Sequence, residues 1–229
     1  MIAENISLDL RPAQKLLSLH SQHKTPYEQE FMGLQLVIYP NVFNPAFTKV
    51  TRMLAENLNT ENSSVVLDMF CGSGVLGLLV KQQASKVVGV DASSEAIACA
   101  HENATRNLAT SKTDFRVGNL WQGVLKNEKF DLIIANPPLL PATPETILEM
   151  AVADSPDMSL ATQFIQGCHS RLNDSGRVLM TFSNASKVSF VDPLGHIEKL
   201  VEQSGLSLNI VAEKDYGYEI YRVLEFRKS

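Results

Sequence analysis

The sequence predicts an α/β protein: a mostly parallel sheet with helices on both faces, finished by an antiparallel hairpin at the C-terminal end. Three observations predict it. From Ser64 onward, short apolar runs alternate with stretches of helical spacing, a pattern that lays parallel strands between helices. The first run leads into a Gly-rich turn at Gly72, Gly74 and Gly77. The last two runs are joined around Asp215 to Tyr218, a link that only antiparallel neighbours can use.

Each element follows from local chemistry. Residues 10–22 have helical spacing, and Met32 to Pro40 is an apolar run ending in an aromatic-rich turn. Residues 1–40 are too few for a core of their own and read as an N-terminal helical lid or flap; residues 41–229 form the main domain. Asn44 and Pro45 read as N-cap and first helical residue, followed by Phe47, Val50, Leu54 and Leu58 at spacings of three or four. Val65 to Asp68, Lys86 to Asp91, Thr113 to Val117, Phe130 to Asn136 and Gly176 to Phe182 read as buried strands. Leu76 to Gln83, Ser94 to Asn107 (capped by Ser93) and Leu160 to Leu172 read as the helices between them. Pro193 to Ser204 reads as a last helix, before strands at Leu206 to Glu213 and Glu219 to Arg227.

Composition narrows the function classes. A chain of 229 residues buries about 70% of its extended surface on folding, enough for one full-sized domain. Hydrophobic residues make up 45% and charged residues 20%, which sets aside disordered and fibrous classes. No stretch approaches the ~18 apolar residues of a membrane span, and the start carries acids where a secretion signal carries bases, so the cytoplasm is the expected compartment. Cys71, Cys99 and Cys168 fit neither a disulfide framework nor metal-ligand spacing and read as buried thiols; no metal is expected. His20, His23, His101, His169 and His196 pair with no nucleophile and read as surface residues. With 20 basic and 25 acidic side chains, the chain lacks the positive field that gathers long polyanions, which disfavours nucleic acid as a partner.

The chemistry gathers at the Gly-rich turn. Gly72 and Gly74 let the backbone turn sharply and approach a ligand, and Gly77 lets the following helix lie close to the strand. Alone, this could be a tight turn without a ligand. Asp91 ends the next strand, where a carboxylate can accept both ribose hydroxyls of a nucleoside, or simply cap a turn. Asp68 stands four residues before Gly72, where it would repel a pyrophosphate. An acid there suits a ligand with ribose, adenine and positive charge, which describes S-adenosylmethionine; a cap of the glycine loop is compatible with the same site.

Val66-Leu67-Asp68-Met69-Phe70-Cys71-Gly72-Ser73-Gly74, followed by Val88-Gly89-Val90-Asp91, resembles the first two motifs of class I S-adenosylmethionine-dependent methyltransferases. The resemblance covers residues 40–229 and implies a Rossmann-like, seven-stranded, mostly parallel sheet with an antiparallel C-terminal hairpin. It also implies that the donor is bound by Asp68, Phe70, Gly72, Gly74, Asp91, Ala92, Asn119, Leu120 and Asn136. Arg116 to Trp121 is a third match, with Asn119 where an acid is commoner beside the adenine. Trp121 either flanks the adenine or belongs to the core.

Asn136-Pro137-Pro138-Leu139 falls at the end of the fourth strand. The prolines have no N–H and a fixed φ, so the carbonyls of Asn136 and Pro137 can face the cleft, where the Asn136 side-chain oxygen and the Pro137 carbonyl together could orient an amino or amide nitrogen; a plain Pro-Pro strand terminator is the other reading. The motif resembles the Asn-Pro-Pro-aromatic signature of enzymes that methylate adenine, ribosomal guanine or release-factor glutamine. The resemblance places Pro138 and Leu139 beside the acceptor. Leu139 departs from the aromatic that would stack a base, which weighs against nucleobases unless Tyr39, Phe43 or Trp121 supplies the ring. Tyr39 to Pro45 resembles the segment that crosses the cofactor in such enzymes, with Tyr39 and Phe43 as pocket walls.

The expected function is methyl transfer to nitrogen, with a protein glutamine amide favoured over an RNA or DNA amine or a small molecule. A non-catalytic nucleoside-binding module and a nicotinamide oxidoreductase are the competing readings; the second leaves Asp68 and Asn-Pro-Pro without a role.

Overall fold

A computed structural model describes residues 11–62, 64–185, 190 and 192–229. The chain runs α1 (Arg11–Ser21), β1 (Tyr27–Phe31), β2 (Leu34–Ile38), α2 (Lys49–Glu56), β3 (Ser64–Met69), α3 (Val75–Leu79), β4 (Ala84–Asp91), α4 (Ser94–Arg106), β5 (Thr113–Val117) and β6 (Phe130–Ala135). It continues with β7 (Leu140–Pro141), α5 (Ile147–Met150), β8 (Ala153–Asp154), α6 (Ser159–Arg171), β9 (Leu172–Ser183), α7 (Pro193–Gln203), β10 (Leu206–Asp215) and β11 (Ile220–Lys228). Seven strands form one sheet in the order β10-β11-β9-β6-β3-β4-β5. β9, β6, β3, β4 and β5 are parallel, while β11 is antiparallel to both its neighbours. This is the expected fold class.

Strand periodicity divides the core into two layers. Leu67 and Met69 of β3, Val88 and Val90 of β4 and Ile133 of β6 point to one face, where Phe164, Ile165 and Cys168 of α6 and Ile197 and Val201 of α7 cover them. Val66, Val87, Leu132 and Ile134 point to the other, beneath Leu54 of α2, Leu78 of α3 and Ile97 and Ala100 of α4. Burial on both faces is why these strands read as largely apolar runs. All three cysteines are buried.

The N-terminal part is helical over α1, whereas the apolar run after it pairs into a β1-β2 hairpin. Its two turn residues, Met32 (φ 48°) and Gly33 (φ 84°), both adopt the left-handed region that tight hairpins require. Phe31, Leu36 and Ile38 are buried against the sheet's helices. Asn103 of α4 and Asn107, which caps its C-terminal end, satisfy the free edge of β2. Asn103 accepts from Val37 N at 2.7 Å and donates to Val37 O at 3.0 Å; Asn107 accepts from Gln35 N at 3.2 Å and donates to Gln35 O at 2.8 Å.

Two further expectations are adjusted. The helix expected from Pro45 is split: Pro45–Phe47 is a 3-10 turn capped by Asn44, whose side chain accepts from Ala46 N at 2.9 Å, and the α-helix begins at Lys49. The helix after the glycine turn ends at Leu79 rather than Gln83. No helix among the described residues is long and apolar enough to cross a membrane.

Candidate active site

A cavity of about 880 Å³ opens at the C-terminal ends of the parallel strands. It lies over the point where chain order reverses, with β4 on one side of β3 and β6 on the other, the position at which open α/β sheets bind ligands. Gly72, Asp91, Ala92, Asn119 and Leu120 line one part and Asn136, Pro137, Pro138 and Leu139 another.

The glycine loop makes its tight turn with Phe70 at φ 61°, Gly72 at φ 52° and Gly74 at φ 77°. A Cβ on Gly72 would meet nothing within 4 Å, so this residue offers bare backbone to the cavity. A Cβ on Gly74 would lie 2.9 Å from Phe115 Cζ and 3.1 Å from Ala100 Cβ; glycine is needed there for packing as well as for conformation. Phe70 lines the cavity and packs its ring on Phe164 at 5.8 Å. A left-handed φ in a non-glycine residue stores strain of about 1–3 kcal/mol, which collects at functional sites.

Asp91 ties β4 to this loop. Its Oδ2 accepts from Gly72 N at 2.9 Å and its Oδ1 from Ser93 N at 2.9 Å, leaving each oxygen a lone pair for a ribose hydroxyl. Burial raises its pKa, and the backbone N–H groups of Ser93, Gly72 and Ala92 pull it back. Asp68 is fully buried beneath the loop and does not line the cavity. Its Oδ2 accepts from Gly77 N at 2.8 Å and its Oδ1 has no partner. Burial pushes this carboxyl up to about 7, with Asp91 adding to the rise and the Gly77 bond opposing it. An open glycine cradle, a strand-end carboxylate and a buried uncompensated oxygen fit an adenosine ligand that carries positive charge.

The aromatic expectations separate. Phe43 lines the cavity, stacked on His20 at 5.1 Å. Tyr39 does not line it: its hydroxyl donates to Glu102 Oε2 at 2.8 Å, and the ring packs beside Val42, Ala96 and Cys99. Trp121 is part of the core layer, stacked on Phe164 at 5.5 Å with its N–H donated to Gln163 O at 3.1 Å. His20, expected at the surface, is buried; its Nδ1 bonds Leu16 O at 2.9 Å and its Nε2 accepts from Asn44 N at 2.7 Å. Burial holds its pKa below the ordinary value.

Asn136 sits one residue beyond β6, held from two sides. Its Oδ1 accepts from Thr181 Oγ1 of β9 at 2.7 Å, and its Nδ2 donates to Thr51 Oγ1 of α2 at 3.2 Å. Leu140, Ile147, Met150 and Val152 continue the apolar wall from Leu139. Sequence reasoning missed Tyr218 and Tyr221 on the far wall; they come from the terminal hairpin, whose short link marks the turn but not where it points. Lys49, Glu95 and Glu219 complete the charged lining. Asn41 bonds Glu95 at 2.9 Å, and Lys49 Nζ lies 4.6 Å above the Tyr216 ring.

The strand order, with a carboxylate and a glycine loop meeting at its reversal, defines a class I methyltransferase, a class whose methyl donor is S-adenosylmethionine. More particularly, residues 33–222 match the methyltransferase small domain, and the chain belongs to that family. A release factor glutamine methyltransferase of Geobacter sulfurreducens is 34% identical over 130 residues, 55% of this chain and 44% of that one. An uncharacterized RNA methyltransferase of Clostridium tetani is 29% identical over 133 residues, 56% of this chain and 29% of that one. The chain thus spans less than half the length of either relative. The Thermus thermophilus 16S rRNA N2 G1207 methyltransferase, solved with S-adenosylmethionine and guanosine, shares the fold with a TM-score of 0.64 and 20% identity, over 89% of this chain and 50% of that one. RNA enzymes among the similar proteins mean that the acidic composition does not set an RNA acceptor aside, contrary to the expectation from charge.

Proposed function

We propose that the protein transfers a methyl group from S-adenosylmethionine to a primary amide or amine nitrogen, with a protein glutamine as the acceptor. The observation that carries this reading is the placement of Asn136, its amide fixed at 2.7 Å and 3.2 Å by two threonines, in the same cavity as Asp91 and the glycine loop.

When bound, the donor supplies a methyl group on a sulfonium; transfer replaces that carbon–sulfur bond by a carbon–nitrogen bond, the electron pair returning to sulfur and a proton leaving the nitrogen. Asp91 holds the ribose hydroxyls, Gly72 clears space for the chain beyond them, and Asn119 meets the adenine amine. Asn136 Oδ1 and the Pro137 carbonyl accept the two N–H bonds of the acceptor and aim its lone pair. Such catalysis by orientation is worth up to about 7–11 kcal/mol. The apolar wall of Leu139, Leu140, Ile147 and Met150 suits the aliphatic stem of a glutamine. The described lining carries the carboxylates of Asp91, Glu95 and Glu219 against the single ammonium of Lys49, which favours a cationic donor.

A second reading, an exocyclic amine of an RNA base, is favoured by Tyr218, 56% exposed on the cavity wall and stacked on Tyr216 at 6.3 Å on one side only, so that its exposed side would meet a base. The deciding experiment incubates the full chain with methyl-labelled donor and a fractionated lysate. Label in protein, recovered as methylglutamine, supports the first reading, and label in RNA the second. If S-adenosylhomocysteine raises the melting temperature while nothing is labelled, the protein is a nucleoside-binding module instead.

A further inference from the structure

We infer that Thr181 and Thr51 are the positioning residues of this methyltransferase: they lock the plane of the Asn136 amide so that one oxygen lone pair faces the acceptor. The inference rests on the acceptor-orienting role of Asn136 proposed above. The terminal torsion of asparagine is broad and roughly two-fold when nothing holds it. A free amide would therefore present either its oxygen or its NH₂, and the NH₂ would face the N–H groups of the acceptor donor to donor. Here both ends of the amide are engaged from different elements. Thr181 on β9 donates to Oδ1 at 2.7 Å, and Thr51 on α2 accepts from Nδ2 at 3.2 Å.

Both threonines are buried, Thr181 fully and Thr51 at 1% exposure, with Thr51 at the edge of the cavity. Each bond uses half of the amide's capacity: Oδ1 keeps one lone pair and Nδ2 one hydrogen. Donation from nitrogen and acceptance at oxygen reinforce each other along such a chain. The chain extends to Thr48 Oγ1, 3.0 Å from Thr51 Oγ1, at the start of α2. The register explains the placement: Ala135 of β6 pairs with Met180 of β9, which brings the next residues of each strand, Asn136 and Thr181, side by side.

The test compares Thr181→Val, which keeps the branched shape and removes the hydroxyl, with Thr181→Ser, which keeps the hydroxyl. In full-length protein with S-adenosylhomocysteine, NMR of the Asn136 side-chain amide needs no acceptor. The wild type and Thr181→Ser should show one sharp, exchange-protected NH₂ pair, and Thr181→Val a broadened, unprotected one. Methyl transfer is then measured with two probes, a synthetic single-glutamine peptide and protein-free total RNA. With whichever probe takes label, Thr181→Val should lower the maximal rate by about 10- to 100-fold, the size of effect a small misplacement produces. Donor affinity should stay unchanged, and Thr181→Ser should remain within about threefold of wild type. Asn136→Ala with Thr181→Val should be no slower than Asn136→Ala alone, because the threonine acts through the asparagine. An unchanged amide signal in Thr181→Val, a Thr181→Ser as impaired as Thr181→Val, or additive losses in the double variant would overturn the inference. Absence of label in both probes would instead count against the proposed acceptors, and the amide signal would still decide the lock.

Discussion

Asp68 Oδ2 receives the backbone N–H of Gly77 at 2.8 Å from beneath the glycine loop, while its other oxygen is buried without a partner. One half of the carboxylate thus anchors the turn where α3 begins, and the other half keeps an unpartnered oxygen beneath the glycine loop proposed to hold the donor. Its pKa of about 7 makes the carboxyl's charge pH-dependent near neutrality. The donor's cationic groups favour the ionised form, so binding should expel a proton. Calorimetry should show affinity for S-adenosylmethionine rising from pH 6 to pH 8 in the wild type and flat in Asp68→Asn.

The same shift governs stability with the opposite sign. A carboxyl raised from 3.8 to about 7 on folding contributes stability that is full below its unfolded pKa and is lost as pH rises through 7. Thermal unfolding of the ligand-free protein should therefore fall between pH 5 and pH 8 more steeply for the wild type than for Asp68→Asn. Equal slopes would mean that Asp68 ionises as freely in the fold as outside it.

Gly72 and Gly74 both have positive φ, yet their alanine variants should fail differently. Gly74→Ala must push into Phe115 and Ala100 and should cost about 1–3 kcal/mol of stability from strain alone, visible as a lower melting temperature. Gly72→Ala meets no atom; its methyl group enters the donor cradle. It should melt closer to the wild type and lose S-adenosylhomocysteine affinity in titration calorimetry.

Donor and acceptor roles should separate between Asp91 and Asn136. Asp91→Ala removes the carboxyl proposed to accept two ribose hydroxyls, where hydrogen bonds to a charged group are worth about 1.5–3 kcal/mol, and should weaken donor binding at least tenfold. Asn136→Ala should retain donor affinity and reduce transfer by about 100-fold or more. Full activity in Asn136→Ala would remove the proposed function.

Tyr218→Ala discriminates between acceptors. Stacking a base on an aromatic ring is worth about 1–3 kcal/mol, so an RNA acceptor should show a raised KM with kcat nearly unchanged. A glutamine acceptor, held by its amide and aliphatic stem, should be almost indifferent to the change.

The central parallel strands were legible because they are buried on both faces, so Val65 to Met69 and Phe130 to Ala135 are mostly apolar runs bounded by turns, interrupted at Asp68 and Asp131. The glycine turn and the strand-end Asp91, proposed to hold the donor, were legible because they are local chain features. The β1-β2 hairpin was not: Glu28, Gln29 and Glu30 obscure β1, and Met32 occupies a left-handed position where asparagine or aspartate usually signals a turn. The burial of His20 depends on Asn44, 24 residues away. The end of the cavity proposed to take the acceptor was legible at Asn136 but not at Thr51, Thr181 or Tyr218, because these converge from elements far apart in the chain. Side-chain direction also decided the fates of Tyr39 and Trp121, and spacing does not encode it.

In the proposed arrangement the order of the sheet sets the two substrates on different halves of the molecule. The glycine loop, Asp91 and Asn119, proposed to hold the nucleoside, follow β3, β4 and β5, whereas Asn136, Thr181 and Tyr221 at the opposite end follow or belong to β6, β9 and β11. A lineage could therefore redraw what gets modified by editing the reversed hairpin and the β9 rim alone, while the machinery that grips the nucleoside is inherited untouched.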